Sequence, residues 1–350
     1  MIPIQNIYYM LSYAFQILNE QGYRNIATEQ FNNTAELMAA ILEKGIANQL
    51  KRGLCKEYIP QTEAFSSLRG KIDIAESIKT QSMLRKQLIC TYDEFSVNST
   101  MNQIIKSTVE LLLCSNISKK RKKNLRKLMI YFGEVDFIDL HTVNWNVQYN
   151  RNNQTYRMLI SICYLVVKGL LQTQSDGSKK LMDFLDEQRM CRLYEKFILE
   201  YYRKEFKNQI AANASQIPWQ LDNEENAMLP VMQSDIMLQR GDRVLIIDAK
   251  YYEHSMQVQF NKHTLHSANL YQIFTYVKNR SYQFGEEDNT VSGMLLYAKT
   301  EEEIQPDNVY QMHGSQISVK TLDLNLPFVE IAAQMDRIVE SHFTGVIKAD

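Results

Sequence analysis

The chain has 350 residues, 45% of them hydrophobic and 23% charged, an ordinary globular composition that excludes intrinsic disorder. Its length suffices for two domains with cores of their own. The formal net charge of −1 neither supports nor excludes a nucleic-acid partner.

No stretch approaches the roughly 18 apolar residues of a membrane span, and the opening MIPIQNIYYML lacks a basic leader region. Cys55, Cys90, Cys114, Cys163 and Cys191 are scattered without CxxC spacing, which argues against a disulfide framework or a zinc site. A cytoplasmic location is the expectation, with no membrane partner.

Apolar residues recur at helical spacing over 4–19, with Ile7, Met10, Leu11, Ala14 and Leu18 on one stripe. A second helix is expected over 34–51, opened by Thr34 with Glu36 nearby and closed near Gly53. Residues 56–75, around Pro60 and the segment Leu68-Arg-Gly-Lys-Ile72, read as short strands and turns. Helices resume over 98–115, capped by Asn98 or Ser99, and again in the basic stretch after Ser118. The polar segment QYNRNNQT at 148–155 has no hydrophobic pattern and marks the expected boundary between domains 1–150 and 151–350.

Beyond it the spacing predicts a mostly apolar, buried helix over 156–173, a turn at 174–180 and a helix over 185–207. Two strands follow, then a helix (264–279), strands at 291–298 and 315–321, and a terminal helix (328–341). The expected fold class is α/β (α+β overall): a mostly helical N-terminal domain with a small β part, then an α/β domain.

The most informative segment reads LPVMQSDIMLQRGDRVLIIDAKYY from Leu229. The midpoint between Asp235 and Asp248 falls between Gly241 and Asp242. A hairpin tipped by those two residues sets the aspartates opposite each other, with Cβ atoms roughly 4.5–5.5 Å apart. Lys250, two residues beyond Asp248, returns to the same face. Phosphodiester hydrolysis needs a hard cation to hold the attacking water and offset phosphate charge. Asp235 and Asp248 offer two ligands and the carbonyl of Ala249 a third, while Lys250 is placed to orient the nucleophile or stabilise the pentacovalent state. The plainer alternative is a solvated hairpin face carrying an Asp–Lys pair. Four apolar residues in succession, Val244 to Ile247, mark a strand covered on both faces. A carboxylate ending such a strand is costly unless paired or bound to a metal, so the metal site is the favoured expectation.

Glu195 lies at the margin of the apolar stripe of its helix, on the side of Cys191, Ile198, Leu199 and Tyr202. It is either a further acidic ligand or a solvated charge. Gln272 and Tyr276 are one helical turn apart and project from one face, suited to bonding a phosphate or steadying the lysine. His254, His263 and His266 cluster near the hairpin without an HExxH context, and read as surface or DNA-facing residues. The run Lys119 to Lys123, extended by Arg126 and Lys127, is either a phosphate grip or a solvated helix face. No GxxxxGK[ST], GxGxxG or GxSxG pattern occurs, so the chain carries no nucleotide-hydrolysing motor of its own.

These residues resemble the PD-(D/E)xK nuclease core, with Asp235, Asp248-Ala-Lys250, Glu195 upstream and Gln272-x-x-x-Tyr276 downstream; Ser234 stands where the motif name has proline. The opening Ile2-Pro-Ile-Gln-Asn-Ile-Tyr-Tyr-Met-Leu11, the Leu68–Ile72 segment and Asp93-Glu-Phe-Ser-Val-Asn-Ser-Thr-Met-Asn102 are similar to the McrC family, the nuclease subunit of the McrBC modification-dependent restriction system. The resemblance implies a restriction-endonuclease-like domain with a central mixed sheet. It implies Glu195, Asp235, Asp248 and Lys250 as the catalytic set with Gln272 in support, and Mg²⁺ as cofactor with Mn²⁺ as substitute. The implied partner is a McrB-like AAA+ GTPase hexamer that reads modified cytosine in double-stranded DNA. The N-terminal half would dock on the GTPase and stimulate it, so GTP enters only through the partner. Double-strand cutting would bring two such sites together by self-association. The competing expectations are a non-catalytic scaffold on an AAA+ ring and a stand-alone DNA repair nuclease.

Overall fold

The computed structural model describes residues 2–15, 31–150, 153–176, 187–222, 228–259, 262–284 and 291–343, with Leu18, Tyr23, Ile26 and Glu29. Among these the helices are α1 (Ile4–Ala14), α2 (Thr34–Arg52), α3 (Ile74–Lys79), α4 (Thr100–Cys114), α5 (Lys119–Met129), α6 (Tyr156–Asp176), α7 (Glu187–Glu205), α8 (Ser267–Ser281) and α9 (Phe328–His342). The first strands are β1 (Glu57–Phe65), β2 (Lys71–Ile72) and β3 (Leu88–Ser96), followed by β4 (Ala211–Asn213), β5 (Gln216–Ile217) and β6 (Met232–Gln233). Next come β7 (Ile236–Arg240), β8 (Arg243–Lys250), β9 (Gln257–Gln259) and β10 (Lys262–Thr264). The last are β11 (Val291–Ala298), β12 (Asn308–Met312) and β13 (Ser315–Leu322). The mixture of helices and sheet is the expected α/β class. No helix among the described residues is long and apolar enough to cross a membrane.

The chain divides into two compact units, Met1–Ala27 with Leu185–Asp350, and Thr28–Phe184. This is not the expected division at residue 150. The opening helix α1 packs on α7, with Tyr13 edge-on to Phe197 and Tyr9 stacked on Phe328. The Asn6 amide donates to the carbonyls of Leu324 and Leu326. Conversely α6 packs on α2 and α4, because its apolar flanks need cover that those helices supply.

In the unit Thr28–Phe184, β3 pairs antiparallel with both β1 and β2 in a small sheet. A buried polar knot fastens this sheet to the helices. The Asn102 amide donates to the carbonyls of Cys55 and Val97, and the Tyr156 hydroxyl donates to Asn102 Oδ1 while accepting from Cys55 N at 2.8 Å. The caps show why the helices start where they do: the side chain of Asn33 accepts from Glu36 N, and that of Ser99 from Asn102 N. Asn33 thus caps the second helix in place of Thr34. Helix α5 is held to α2 by Arg121, whose guanidinium reaches Glu29, Glu36 and Glu43 at 2.6, 3.3 and 2.8 Å.

The other unit is built on a six-stranded mixed sheet of order β12-β13-β11-β8-β7-β4. Its centre is parallel, β8 with β11 and β11 with β13, and its two edges are antiparallel. Helix α8 covers one face of β8 and β11, and α7 lies against β7 and β8. Gly293 lets α8 come close: a Cβ there would stand 2.7 Å from Val277 Cγ2 and 2.8 Å from Ile273 Cγ1. The core on that side includes Val244, Ile246, Ile273, Val277, Leu295 and Tyr297.

Sequence periodicity misses the nine-residue β3 and the short helix α3, the strands β4, β5, β6, β9 and β10, none longer than three residues, and the edge strand β12, which lies mostly exposed. Helix α1 closes at Ala14, where Phe15 leaves helical conformation with φ −131°, short of the expected residue 19. The turn expected at 174–180 and the start of the helix expected at 185 lie partly outside the described residues.

Replacing Arg121 by Ala strands three glutamates without their cation. Chemical denaturation of the full chain is expected to show a loss of roughly 1–3 kcal/mol. Arg121→Lys should recover only part, because one ammonium cannot reproduce the guanidinium fork. An unchanged unfolding midpoint in Arg121→Ala would show that the cluster is a solvated surface.

Candidate active site

The hairpin forms in the expected register. Ile236 pairs with Ile247 and Arg240 with Arg243, leaving Gly241 and Asp242 as a two-residue turn. Gly241 has φ +57°, the positive value that a type II′ turn requires at its first central position. The next pair outward from Ile236 and Ile247 is Asp235 and Asp248. The alternation that puts Val244 and Ile246 on the α8 side puts Asp248 and Lys250 on that side as well.

The strand end carries its charges under cover. Residues Val244 to Ala249 are buried, and the side chain of Asp248 is only 1% exposed. Lys250 Nζ lies 2.8 Å from Asp248 Oδ2. That approach neutralises the carboxylate, yet neither Asp248 oxygen has a hydrogen-bond partner of good geometry among the described residues. Asp235 Oδ2 accepts from Ala249 N at 3.0 Å, so one aspartate is tied to the backbone beside the other. Burial, and next the charge of Asp248, hold the Asp235 carboxyl well above the ordinary carboxylate range. For Lys250, burial pulls its pKa down, but the pairing with Asp248 outweighs it and leaves the ammonium above its usual value. Two carboxyl groups therefore share one lysine, and ionising both leaves one negative charge too many for the space.

Gln272 performs the second of its two expected tasks. Its Oε1 accepts from Lys250 Nζ at 3.3 Å, and its Nε2 donates to the Tyr276 hydroxyl at 3.0 Å. The pair on α8 thus steadies the lysine. Glu195, half-buried on α7, takes a hydrogen bond from the Cys191 thiol at 3.1 Å. Burial raises its pKa, while Lys250 and Asp248 act on it in opposite senses. Cys191 Sγ also lies 4.0 Å from the carbonyl oxygen of Ala249, and burial pushes its thiol up to about 12, so it remains a proton donor. Cys191 is visible in the sequence only as a neighbour of Glu195 one turn away, with no motif to single it out.

Among the described residues no three His, Cys, Asp or Glu side chains are gathered closely enough to form a ready-made metal cluster. The donor set nevertheless suits a hard cation: two carboxyl groups sharing one counter-charge, an Asp248 carboxylate without a well-formed hydrogen bond among the described residues, and the Ala249 carbonyl next to it in the chain. The histidines stand apart from it. His254 Nδ1 is 3.7 Å from Glu302, His263 is exposed, and the His266 ring lies 5.4 Å from that of Tyr252.

Comparisons with known proteins give the family of the chain. A model of the McrBC 5-methylcytosine restriction system component family matches residues 5–298. The chain belongs to that family. It is similar to the Type IV methyl-directed restriction enzyme EcoKMcrBC of Escherichia coli (strain K12), 29% identical over 335 residues, covering 92% of this chain and 93% of the relative. Among solved structures it resembles a chain of the tetradecameric assembly of Thermococcus gammatolerans McrB AAA+ hexamers with bound McrC. That match has TM-score 0.49 and 17% identity, over 97% of this chain and 76% of the other. A second likeness, to the Thermococcus gammatolerans McrBC complex, has TM-score 0.40 and 20% identity over 58% of each chain. In this McrBC family member the resembling N-terminal segments contain Asn6 and Asn102, both buried and both spent on tying distant backbone together.

Crowding of Asp235 against Asp248 makes a stability prediction. A carboxyl whose folded pKa is raised costs stability above its unfolded value of about 4 and costs nothing below it. Asp235→Asn in metal-free buffer should therefore raise Tm at neutral pH by about 2–4 °C, the shift of roughly 1 kcal/mol in a domain of this size. The gain should vanish toward pH 4. A lower Tm at neutral pH would mean the carboxylate is stabilising and the site is not over-charged.

Proposed function

We propose that this chain is the DNA endonuclease subunit of a modification-dependent restriction system, hydrolysing phosphodiester bonds with Mg²⁺, or Mn²⁺ in its place. The observation that carries it is the opposition of Asp235 and Asp248 at a buried strand end, with Lys250 on the same face, in a chain of the McrBC family. Asp235, Asp248 and the carbonyl of Ala249 would hold the cation, with Glu195 as a further acidic group. A bound divalent ion supplies an activated water and offsets charge on the phosphate. Lys250 meets the negative charge that develops on the phosphate oxygens. Gln272 gives that lysine an anchor independent of Asp248. The apolar cover on both faces of β8 lowers the local dielectric and strengthens each of these interactions.

The motor is a separate polypeptide on this reading, a McrB-like AAA+ GTPase hexamer that recognises modified cytosine in double-stranded DNA. The lack of any phosphate-binding loop in this chain supports that division of labour. The unit Thr28–Phe184 is the docking unit. Its small sheet and the helix beside it expose Tyr58, Leu68, Ile74, Ile78, Leu84 and Phe95, the last 56% and Leu84 81% exposed, more apolar surface than a solvated arm needs.

Asp248→Ala separates the two halves of the proposal. Supplied with the GTPase, GTP, Mg²⁺ and methylated duplex, the variant should lose at least about 10³-fold in cleavage while stimulating GTP hydrolysis as the wild type does. Undiminished cutting by the variant would remove the site from the mechanism. A wild type that stimulates the GTPase but never cuts would make the chain a scaffold, and cutting without GTP would make it a stand-alone nuclease.

A further inference from the structure

Helix α5 carries the sequence KKRKKNLRKLM, with no acidic residue in its 11 positions. At roughly 100° per residue, Lys119, Lys120, Lys123, Arg126 and Lys127 fall within an arc of about 120°. All five are exposed, and among the described residues none of them forms an ion pair. Leu125 points the opposite way and is fully buried. Arg121, the middle cation of the run, is turned out of the stripe and bound by three glutamates.

The placement is unfavourable to the helix itself. Cations in the first turn oppose the macrodipole, each by about 0.3–1 kcal/mol. The fold offsets this from a distance: Glu36 on α2 accepts from both the backbone nitrogen and the hydroxyl of Ser118, setting a carboxylate at the N-terminus of α5. A solvated helix face would serve stability better with mixed signs at i, i+4 spacing. Five like charges concentrated on one face, against the local electrostatics and with their acids withheld, are explained by an anion outside the molecule.

We infer that the stripe Lys119, Lys120, Lys123, Arg126 and Lys127 binds the phosphate backbone of duplex DNA without reading its sequence. The composition favours nucleic acid over an acidic protein surface. Protein interfaces centre on apolar, aromatic and arginine side chains and are poor in lysine. Within the helix this face is four lysines to one arginine, and the exposed Ile130 joins it only where the helix ends. Charge neutralisation of phosphates needs nothing more than such a row. The inference rests on the proposed action on DNA, and it adds a second, sequence-independent hold on the substrate, carried by the other unit of the chain.

The test is the full chain with all five residues changed to Ala, and a parallel set changed to Gln. Binding to a fluorescent, unmodified duplex is measured by anisotropy in EDTA over a range of NaCl concentrations. The Ala set should bind at least about tenfold more weakly at low salt. Its plot of log K against log[NaCl] should be flatter by about 0.9 for each phosphate that the stripe no longer neutralises. Its Tm should hold or rise, because alanine favours the helix and the dipole conflict is gone. Unaltered affinity and salt slope in both sets would overturn the inference, as would a wild type that does not bind the duplex. So would unaltered DNA binding with reduced stimulation of the GTPase, which would assign the stripe to the protein partner. Cleavage measured separately with Mg²⁺ keeps the two proposals apart, since a chain that binds through the stripe but never cuts contradicts only the nuclease.

Discussion

Burying the carboxylate of Asp248 at the end of β8 is the constraint to which the surrounding structure answers. A strand covered on both faces has no water to offer its last residues, and an ion there costs several kcal/mol unless it is compensated. Lys250 compensates it at 2.8 Å, but Asp235 then arrives across the hairpin as a second carboxyl group, whose ionisation nothing else at the site offsets. The result is a site whose own residues do not balance. The proposed divalent cation would complete that balance.

The elements around the hairpin hold that imbalance in place. Gly293 brings α8 down onto the sheet, and the same helix delivers Gln272 to Lys250 and braces it through Tyr276. From the other side α7 brings Glu195, with Cys191 reaching both that carboxylate and the vicinity of the Ala249 carbonyl. The chain's opening helix serves this unit too: Asn6 and the ring contacts of Tyr9 and Tyr13 lock α1 onto α7 and the loop before α9. The acid-paired Arg121 and the stripe beside it, which forms no ion pair among the described residues, show the opposite pattern in one helix.

The hairpin was legible because its geometry depends only on local spacing: a glycine-aspartate turn, a period of two and a run of apolar residues. The α/β class and the long helices were legible for the same reason. The division into units was not, because it turns on contacts between residues nearly 200 or more positions apart, such as Tyr13 with Phe197 and Asn6 with Leu324. Nor does the run from Lys119 to Lys123 reveal that its central arginine faces inward, since five cations in a row have no periodicity to read. Short strands such as β4 and β9 exist because a neighbouring strand offers them partners, and three residues of their own sequence cannot specify that. Cys191 shows in the sequence only as a neighbour of Glu195, because a thiol acting as a hydrogen-bond donor leaves no motif.

The central claim is that the opposed aspartates hold a divalent cation, and calorimetric titration of Mn²⁺ into the full chain tests it most directly. Binding by the wild type that disappears in both Asp235→Asn and Asp248→Asn is the expected result. Equal binding by the wild type and either variant, or none by the wild type, would contradict it.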